Sequence, residues 1–328
     1  MYYYYYVEYP ELDSYEKILE GFRMNAVIII SLTISFAFGL FMNILVITSF
    51  AKFSELRNTL TTFLFCIAVS HLVPLVLKLP FQIWNYLVIN WIFVEAMCKL
   101  VSTLGVLISV FTTGMLFIMA IYMMMEVKFT RYGKTLFQQH HVWKYSIVVA
   151  IVSCLVCLPV FFAYNVQELG IQHKLVICSS IYEELFTFNR TMLGLLVALL
   201  LIMMVFDWTA YRGMKSTPGN RDAVHFRMEP DEKAAIIENE TENNSSISIQ
   251  DVKMIWVISV VNALVQFPYW LKGSISFSTY HEPGVTVFLR ILYISEFVLY
   301  LIFPVIYGIV SPQFRTCYRK LICCCCRN

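Results

Sequence analysis

The chain is poor in charge. Of its 328 residues only 14% are Asp, Glu, Lys or Arg, against about 25% in soluble domains. Hydrophobic residues make up 59%, and the mean hydropathy is +0.68. A soluble domain of this length cannot bury so much apolar surface, so the composition points to a membrane protein. The formal net charge of +2 and the lack of a clustered basic surface argue against nucleic acid as a partner. A basic n-region is also missing. The first residues are tyrosines and acids, so no cleavable leader is expected and the first apolar segment acts as an uncleaved signal-anchor. There is no nucleophile paired with a base, no metal-ligand spacing and no Gly-rich phosphate loop, so neither an enzyme nor a cofactor is called for. The ten cysteines are scattered apart from one terminal cluster, which excludes a small disulfide scaffold.

What is present is long apolar runs. A bilayer core of about 30 Å takes about 20 residues of helix. Seven segments meet that length, at about 24–50, 60–86, 94–125, 143–165, 187–211, 252–278 and 285–310. Pro80, Pro159, Pro268 and Pro304 fall inside them, which a membrane bundle tolerates because neighbours and water satisfy the freed carbonyls. With the N-terminus outside, sixteen of the 24 Lys and Arg residues lie on the inner side, so the C-terminus is cytosolic. The expected fold class is an all-α membrane protein, a seven-helix bundle with an amphipathic eighth helix. It divides into an outer acidic tail (1–23), the bundle (24–311, with a polar, disordered cytosolic loop at about 213–250) and a Cys-rich inner end (312–328). The sequons at Asn239, Asn243 and Asn244 fall in that cytosolic loop. Asn189, at the outer mouth of the fifth span, is the one glycosylation candidate.

The motifs along these spans resemble the rhodopsin-like G-protein-coupled receptors, and within them the chemokine receptors. "GLFMNILV" (39–46) is similar to the first-helix motif built on an Asn, here Asn43. "CIAVSHL" (66–72) is similar to the second-helix Leu-Ala-x-x-Asp motif, with His71 at the Asp. "LKLPF" (77–81) resembles the Thr-x-Pro element, with Lys78 at the Thr and Pro80 kept. "WIFVEAMCKL" (91–100) is very close to the first outer loop and third-helix start of chemokine receptors, including Trp91 and Cys98. "ICSS" (177–180) supplies the second-loop cysteine, and "FPVIYGIVSPQFR" (303–315) resembles Asn-Pro-x-x-Tyr followed by the eighth helix. The resemblance runs over essentially the whole chain. It implies a Cys98–Cys178 disulfide in the oxidising exterior, while Cys154 and Cys157 read as packing residues.

The departures are concentrated at polar switch positions. The family's Asp-Arg-Tyr is here Tyr122, Met123 and Met124, Gln266 replaces the sixth-helix Trp ahead of Pro268, and Phe303 replaces the Asn before Pro304, with Tyr307 kept. Ala198 and Phe206 replace the fifth-helix Pro and Tyr. With His71 and Phe303 in place of oxygen ligands, a sodium cage is not expected. At Met123 no guanidinium can bridge helices or meet a G protein, and polarizable methionines would pack against helices five and six. Two outcomes stay open. Loss of the latch removes productive coupling and leaves a decoy, scavenger or chaperone, or it frees active states without ligand. Weak or atypical coupling to a heterotrimeric G protein or arrestin is the favoured one. Such divergence resembles virus-encoded receptor homologues and atypical receptors, and the Met- and Ile-rich usage is compatible with a viral gene.

The tail carries Tyr2, Tyr3, Tyr4, Tyr5, Tyr6, Tyr9 and Tyr15 among Glu8, Glu11, Asp13 and Glu16. A mobile acidic tail steers basic partners, and tyrosine beside acids is a context for sulfation. The resemblance makes the partner a chemokine or similar basic protein. The family's second outer disulfide is absent, since no cysteine precedes Cys66 and none lies in 276–287. The family's ligand-binding Glu maps to Tyr293, with Glu296 one turn deeper on the same face. Glu296 has two readings, a ligand contact or a structural partner of Lys78. In "SPQFRTCYRKLICCCCRN" (311–328), Phe314, Tyr318 and Leu321 fall at helical spacing with Arg315, Arg319 and Lys320 toward solvent or lipid headgroups. Cys323, Cys324, Cys325 and Cys326 look like palmitoylation sites. The expected location is the plasma membrane (a host cell's, if the gene is viral), with dimerisation with another receptor left open. A transporter is the competing class, and it lacks the expected internal repeat.

Overall fold

A computed structural model describes residues 14–88, 91–129, 136–169, 175–180, 184–216, 248–274 and 283–324. Seven helical spans cross in succession. They are α1 (Ser14–Lys52); a second span in two pieces, α2 (Thr59–Leu77) and α3 (Leu79–Val88); α4 (Glu95–Lys128); α5 (Gln139–Ala163); α6 (Glu184–Ser216); α7 (Ile249–Ser274); and α8 (Pro283–Val310). A short interfacial helix, α9 (Pro312–Cys324), follows, and an antiparallel hairpin of β1 (Tyr164–Leu169) and β2 (Leu175–Ser180) lies between α5 and α6. The bundle therefore has the all-α membrane architecture expected from the sequence.

The spans extend beyond their apolar runs because helix formation does not stop where hydrophobicity does. The first helix begins at Ser14, well ahead of the apolar run, and α5 begins at Gln139 in the polar stretch "QHHVWK". Six spans are individually long and apolar enough to cross a bilayer; the seventh qualifies when Ile294–Val310 is taken together with Pro312–Ile322, which it meets at 104°. The 28 residues of α8 would extend about 42 Å at helical rise, enough for the crossing by themselves. Large apolar side chains face outward, with Leu155, Leu201 and Leu264 being 61%, 64% and 68% exposed. In water that surface would be untenable; against lipid it is the solvated face.

The third span, α4, is the central pillar: 67% of its membrane window is buried, against 22% for α5 and 17% for α6. Prolines interrupt four spans from within, Pro74 in α2, Pro159 in α5, Pro268 in α7 and Pro304 in α8. Pro80 lies in the first turn of α3, and the second span breaks at Lys78 between Pro74 and Pro80. Neither proline can donate to the ladder, so the helix is weakest between them. On the inner side, Asn58 caps α2 reciprocally. Its side chain accepts from the Thr61 N–H at 2.9 Å, and its own N–H donates to the Thr61 hydroxyl at 3.1 Å.

At the outer end, Cys98 on α4 is disulfide-bonded to Cys178 on β2. The Trp91 N–H donates to the Val176 carbonyl at 2.8 Å, and Trp91, Phe93 and Phe81 stack edge to face beside the bridge. The strands were not anticipated. They are six residues each, and short strands in a loop carry little periodic signal. Cys154 and Cys157 are free thiols on α5; both were expected as packing residues, and Cys157 is buried while Cys154 is exposed.

At the inner end α9 turns away from the seventh span by 104°. Phe314 and Tyr318 are buried while Arg315, Arg319 and Lys320 are exposed, in the pattern expected from their spacing. The Tyr318 hydroxyl donates to the Pro304 carbonyl at 3.3 Å, the acceptor of a residue in the seventh span. Gly308 permits this, because a Cβ there would lie 2.9 Å from the Tyr318 ring. Gly308→Val should therefore lower the thermal midpoint of the purified protein by several degrees. The double variant Gly308→Val/Tyr318→Ala should show a smaller drop than the sum of the single changes, and strict additivity in a thermal-shift double-mutant cycle would remove this contact from the account.

Candidate functional site: a polar seam within the bundle

Polar side chains are expensive in hydrocarbon unless paired. Those buried here form a seam running inward along α4. At its outer end, Lys78 and Glu296 form an ion pair linking the second and seventh spans, with side chains 5% and 7% exposed. The structural partner anticipated for Glu296 is therefore present. The Tyr300 hydroxyl also donates to Glu296 Oε1, at 3.5 Å, and the Lys78 ammonium lies 5.4 Å from the centre of the Phe297 ring.

One turn deeper a ladder ties the third span to the sixth. Asn262, Gln266 and Trp270 stand four residues apart on one face of α7, opposite Ser109 and Thr113 on α4. The Ser109 hydroxyl donates to Gln266 Oε1 and accepts from Trp270 Nε1 at 3.1 Å. Gln266 Nε2 is shared between the Ser109 carbonyl at 3.3 Å and Asn262 Oδ1 at 3.4 Å. Asn262 Nδ2 donates to the Thr113 hydroxyl at 3.3 Å. Of these five residues only Gln266 was singled out in the sequence, although Asn262, Gln266 and Trp270 at i, i+4 and i+8 were legible as one polar face. Pro268 lies between the last two rungs, half-buried.

At the two positions where the resemblance would put oxygen ligands for sodium, the chain has His71 and Phe303. His71 is wholly buried; its Nε2 lies 3.2 Å from the Thr112 hydroxyl, and its ring packs on Tyr300 and Phe303 at centroid distances of 5.2 and 5.6 Å. The Asn43 amide donates to the Gly39 carbonyl at 2.8 Å and the Tyr300 carbonyl at 2.7 Å, tying the first span to the seventh. Tyr307 is buried against Phe314, with Pro304 buried one turn before it. Among the described residues no group of His, Cys, Asp or Glu could hold a metal.

Below this, the buried face of α4 is mainly apolar, apart from Glu126. Met115, Met119 and Met123 are wholly buried at four-residue spacing, and share one core with Met203, Ile255 and Ile258 of the fifth and sixth spans. Tyr122 packs on Phe63 and Phe137 at 6.3 and 5.4 Å, and Met124 is half-buried. Two buried acids belong to no recognisable motif in the sequence, Glu126 near the inner end of α4, 1% exposed, and Asp207. Asp207 on α6 is 1% exposed and faces Ser259 on α7, and neither of its oxygens has a hydrogen-bond partner in good geometry. Its signal was an acid inside the apolar run "MVFDWTAY".

The remaining anticipated residues are distributed as follows. Trp91 is 3% exposed, in the core with Cys98 and Val101. Asn189 is half-buried on α6 near the outer face. Tyr2 to Tyr6, Glu8, Tyr9, Glu11, Asp13, Cys325 and Cys326 lie outside the described residues, as do the side chains of Tyr15, Tyr293, Cys323 and Cys324, whose backbones are helical. Cys317 is buried, and its thiol is pushed up by burial and by the Glu55 charge, against a lowering effect of Lys320.

Two outcomes are expected of this seam. Gln266→Leu removes its bonds to Ser109 and Asn262 together and should cost roughly 1–2 kcal/mol of stability, since interhelical hydrogen bonds in membranes average about 0.6 kcal/mol; an unchanged thermal midpoint would mean the ladder is energetically idle. Exchanging sodium for potassium should leave the thermal midpoint unchanged, because His71 and Phe303 offer no carboxylate. A sodium-specific rise would place a cation site elsewhere.

No curated protein matches the chain. The family model described as "7 transmembrane receptor (rhodopsin family)" matches residues 42–307, from the turn holding Asn43 to Tyr307. That match covers most of the chain, from the inner end of α1 to Tyr307 in α8, and on it the protein belongs to the rhodopsin family of seven-transmembrane receptors.

Proposed function

We propose that this multi-pass receptor is chemokine-receptor-like. It binds a basic protein of the chemokine class through its acidic, Tyr-rich tail at the plasma membrane, and it couples weakly or atypically to G protein or arrestin. The observation carrying this reading is Met123. Where the family presents an arginine to its G protein, this chain buries a thioether completely. A thioether offers no N–H donors and no charge, so neither the resting ion pair nor the contact with a transducer is available from that residue. The polar ladder between α4 and α7 supplies a different restraint on the sixth span, deeper in the bundle and uncharged.

The ligand class rests on the sequence "MYYYYYVEYPELDSYEK" and on the near-intact "WIFVEAMCKL". Seven tyrosines among four acids attract a basic surface over about a Debye length, and sulfation would strengthen the attraction. With the family's second outer disulfide missing, the tail is tied down less. At the inner end Cys323 to Cys326 are the acyl acceptors in this reading. Cys317 is not, because its thiol is buried and its thiolate disfavoured. An acyl chain there would add to the headgroup contact of Arg315, Arg319 and Lys320.

The test is a panel of labelled chemokines on intact cells displaying the receptor, with and without inhibition of sulfation, followed by G-protein activation on the same cells. Sulfation-sensitive binding with little activation above untransfected cells is the expected result. Strong ligand-driven activation would overturn the coupling half of the proposal. No binding by any basic chemokine, with surface display verified, would overturn the ligand half.

A further inference from the structure

The Lys78–Glu296 pair sits in a closed cage. Lys78 is 4% exposed at the break between α2 and α3, and Glu296 is 7% exposed on α8. The space they occupy exists because residue 105 is glycine. A Cβ at Gly105 would collide with both Lys78 Nζ and Glu296 Oε1, and would come within 3.2 Å of the Tyr269 hydroxyl. The Phe297 ring faces the ammonium at 5.4 Å, and the Tyr300 hydroxyl reaches the carboxylate at 3.5 Å. One carboxylate, one aromatic face and nearby phenols around a desolvated pocket are the groups that recognise an alkylammonium ion.

From this geometry we propose that Glu296 is an amine-recognition site occupied from within, with Lys78 as its tethered ammonium ligand. When the Lys78 side chain is removed, the vacated site takes a small primary alkylammonium. Lys78, at the proline-flanked break, is buried within the bundle, and Gly105 leaves the volume for the four-carbon stem's charged end. Two consequences follow. The second and seventh spans are held together at their outer ends without any external ligand. A ligand entering from outside meets a neutralised pair and not a free acid, so an amine on that ligand gains little by reaching this depth. The inference stands apart from the proposed protein ligand and from coupling, and its test uses neither.

The experiment is chemical rescue of the purified full-length receptor. Lys78→Ala leaves the Cβ and removes three methylenes and the ammonium, which together correspond to n-propylammonium. Breaking a buried pair by removing one partner is strongly destabilising, so the thermal midpoint of Lys78→Ala should fall by at least about 5 °C. Added n-propylammonium should recover the midpoint in a saturable way, whereas 1-propanol should not, and wild type should respond to neither. In Lys78→Ala/Glu296→Gln the amine response should vanish. Recovery by 1-propanol equal to that by the amine, or an equal amine response in wild type, would overturn the proposal. So would a Lys78→Ala protein that is folded yet insensitive to the amine. Lys78→Met covers the case in which Lys78→Ala is not recoverable. Paired with Glu296→Gln it should match wild type within about 2 °C while Lys78→Met by itself falls well below it, because neutralising both members removes the uncompensated charge. Equal midpoints for Lys78→Met and wild type would sink the idea.

Discussion

A hydrocarbon surround leaves no water to satisfy a buried polar group, and the arrangement of this bundle follows from that constraint. Polar side chains inside the spans bind backbone, as Asn43 does, or a partner on another helix, as Gln266 and Lys78 do, with some exceptions. Such bonds are individually modest in a membrane, averaging about 0.6 kcal/mol, but they are directional where lipid and leucine are not. They therefore decide which helix faces meet. Exceptions are informative. Asp207 lacks a hydrogen-bond partner in good geometry, and the Nδ1 of His71 and the hydroxyl of Tyr307 are also unpaired.

The third span carries a gradient that organises the receptor. From the outside inward its buried face reads Gly105, Ser109, Thr112, Thr113, then Met115, Met119 and Met123. Its outer half is fixed by a cage and a hydrogen-bonded ladder. Its inner half is held by thioethers, which pack well in several rotamers. Relative motion of α4 and α7 at the cytosolic end breaks no charge-assisted bond at Met123, whereas the same motion at mid-membrane must break bonds at Gln266. The hydrogen-bonded ladder between α4 and the sixth span lies in the membrane interior.

The seven crossings were legible because bilayer thickness sets a length that composition alone reveals. The disulfide was legible through the family resemblance, the place of Met123 because spacing from Cys98 fixes its register, and α9 because Phe314, Tyr318 and Leu321 fall at helical spacing. Other features were not. The ends of α1 and α5 were missed because polar residues continue a helix that apolar ones begin. The hairpin 164–180 was missed because six-residue strands in a loop leave no distinctive period. Lys78 and Glu296 are 218 residues apart, and no one-dimensional pattern says which two helix faces meet. Both readings of Glu296 were available from the sequence, and only the packing brings Lys78 to it. Asp207 was overlooked because one acid hardly changes the character of a 33-residue helix.

The two polar devices are adjacent, and that adjacency bears on how the outer end communicates with the inner. Gly105 under the Lys78–Glu296 pair and Ser109 at the head of the ladder are four residues apart, one turn on the same face of α4. Tyr269, beside the cage, precedes Trp270, whose indole donates to Ser109. A displacement of the second or seventh span at the pair therefore reaches the sixth span through one helical turn of packed side chains, with no gap to cross. Contiguity supplies a route but no direction. A ligand shifts this equilibrium only by binding one arrangement better than the other. Met123 supplies no charged contact at the cytosolic end, whereas the seam joins these helices by an ion pair and hydrogen bonds. Any ligand-driven shift of the sixth span against α4 has to break the mid-membrane ladder.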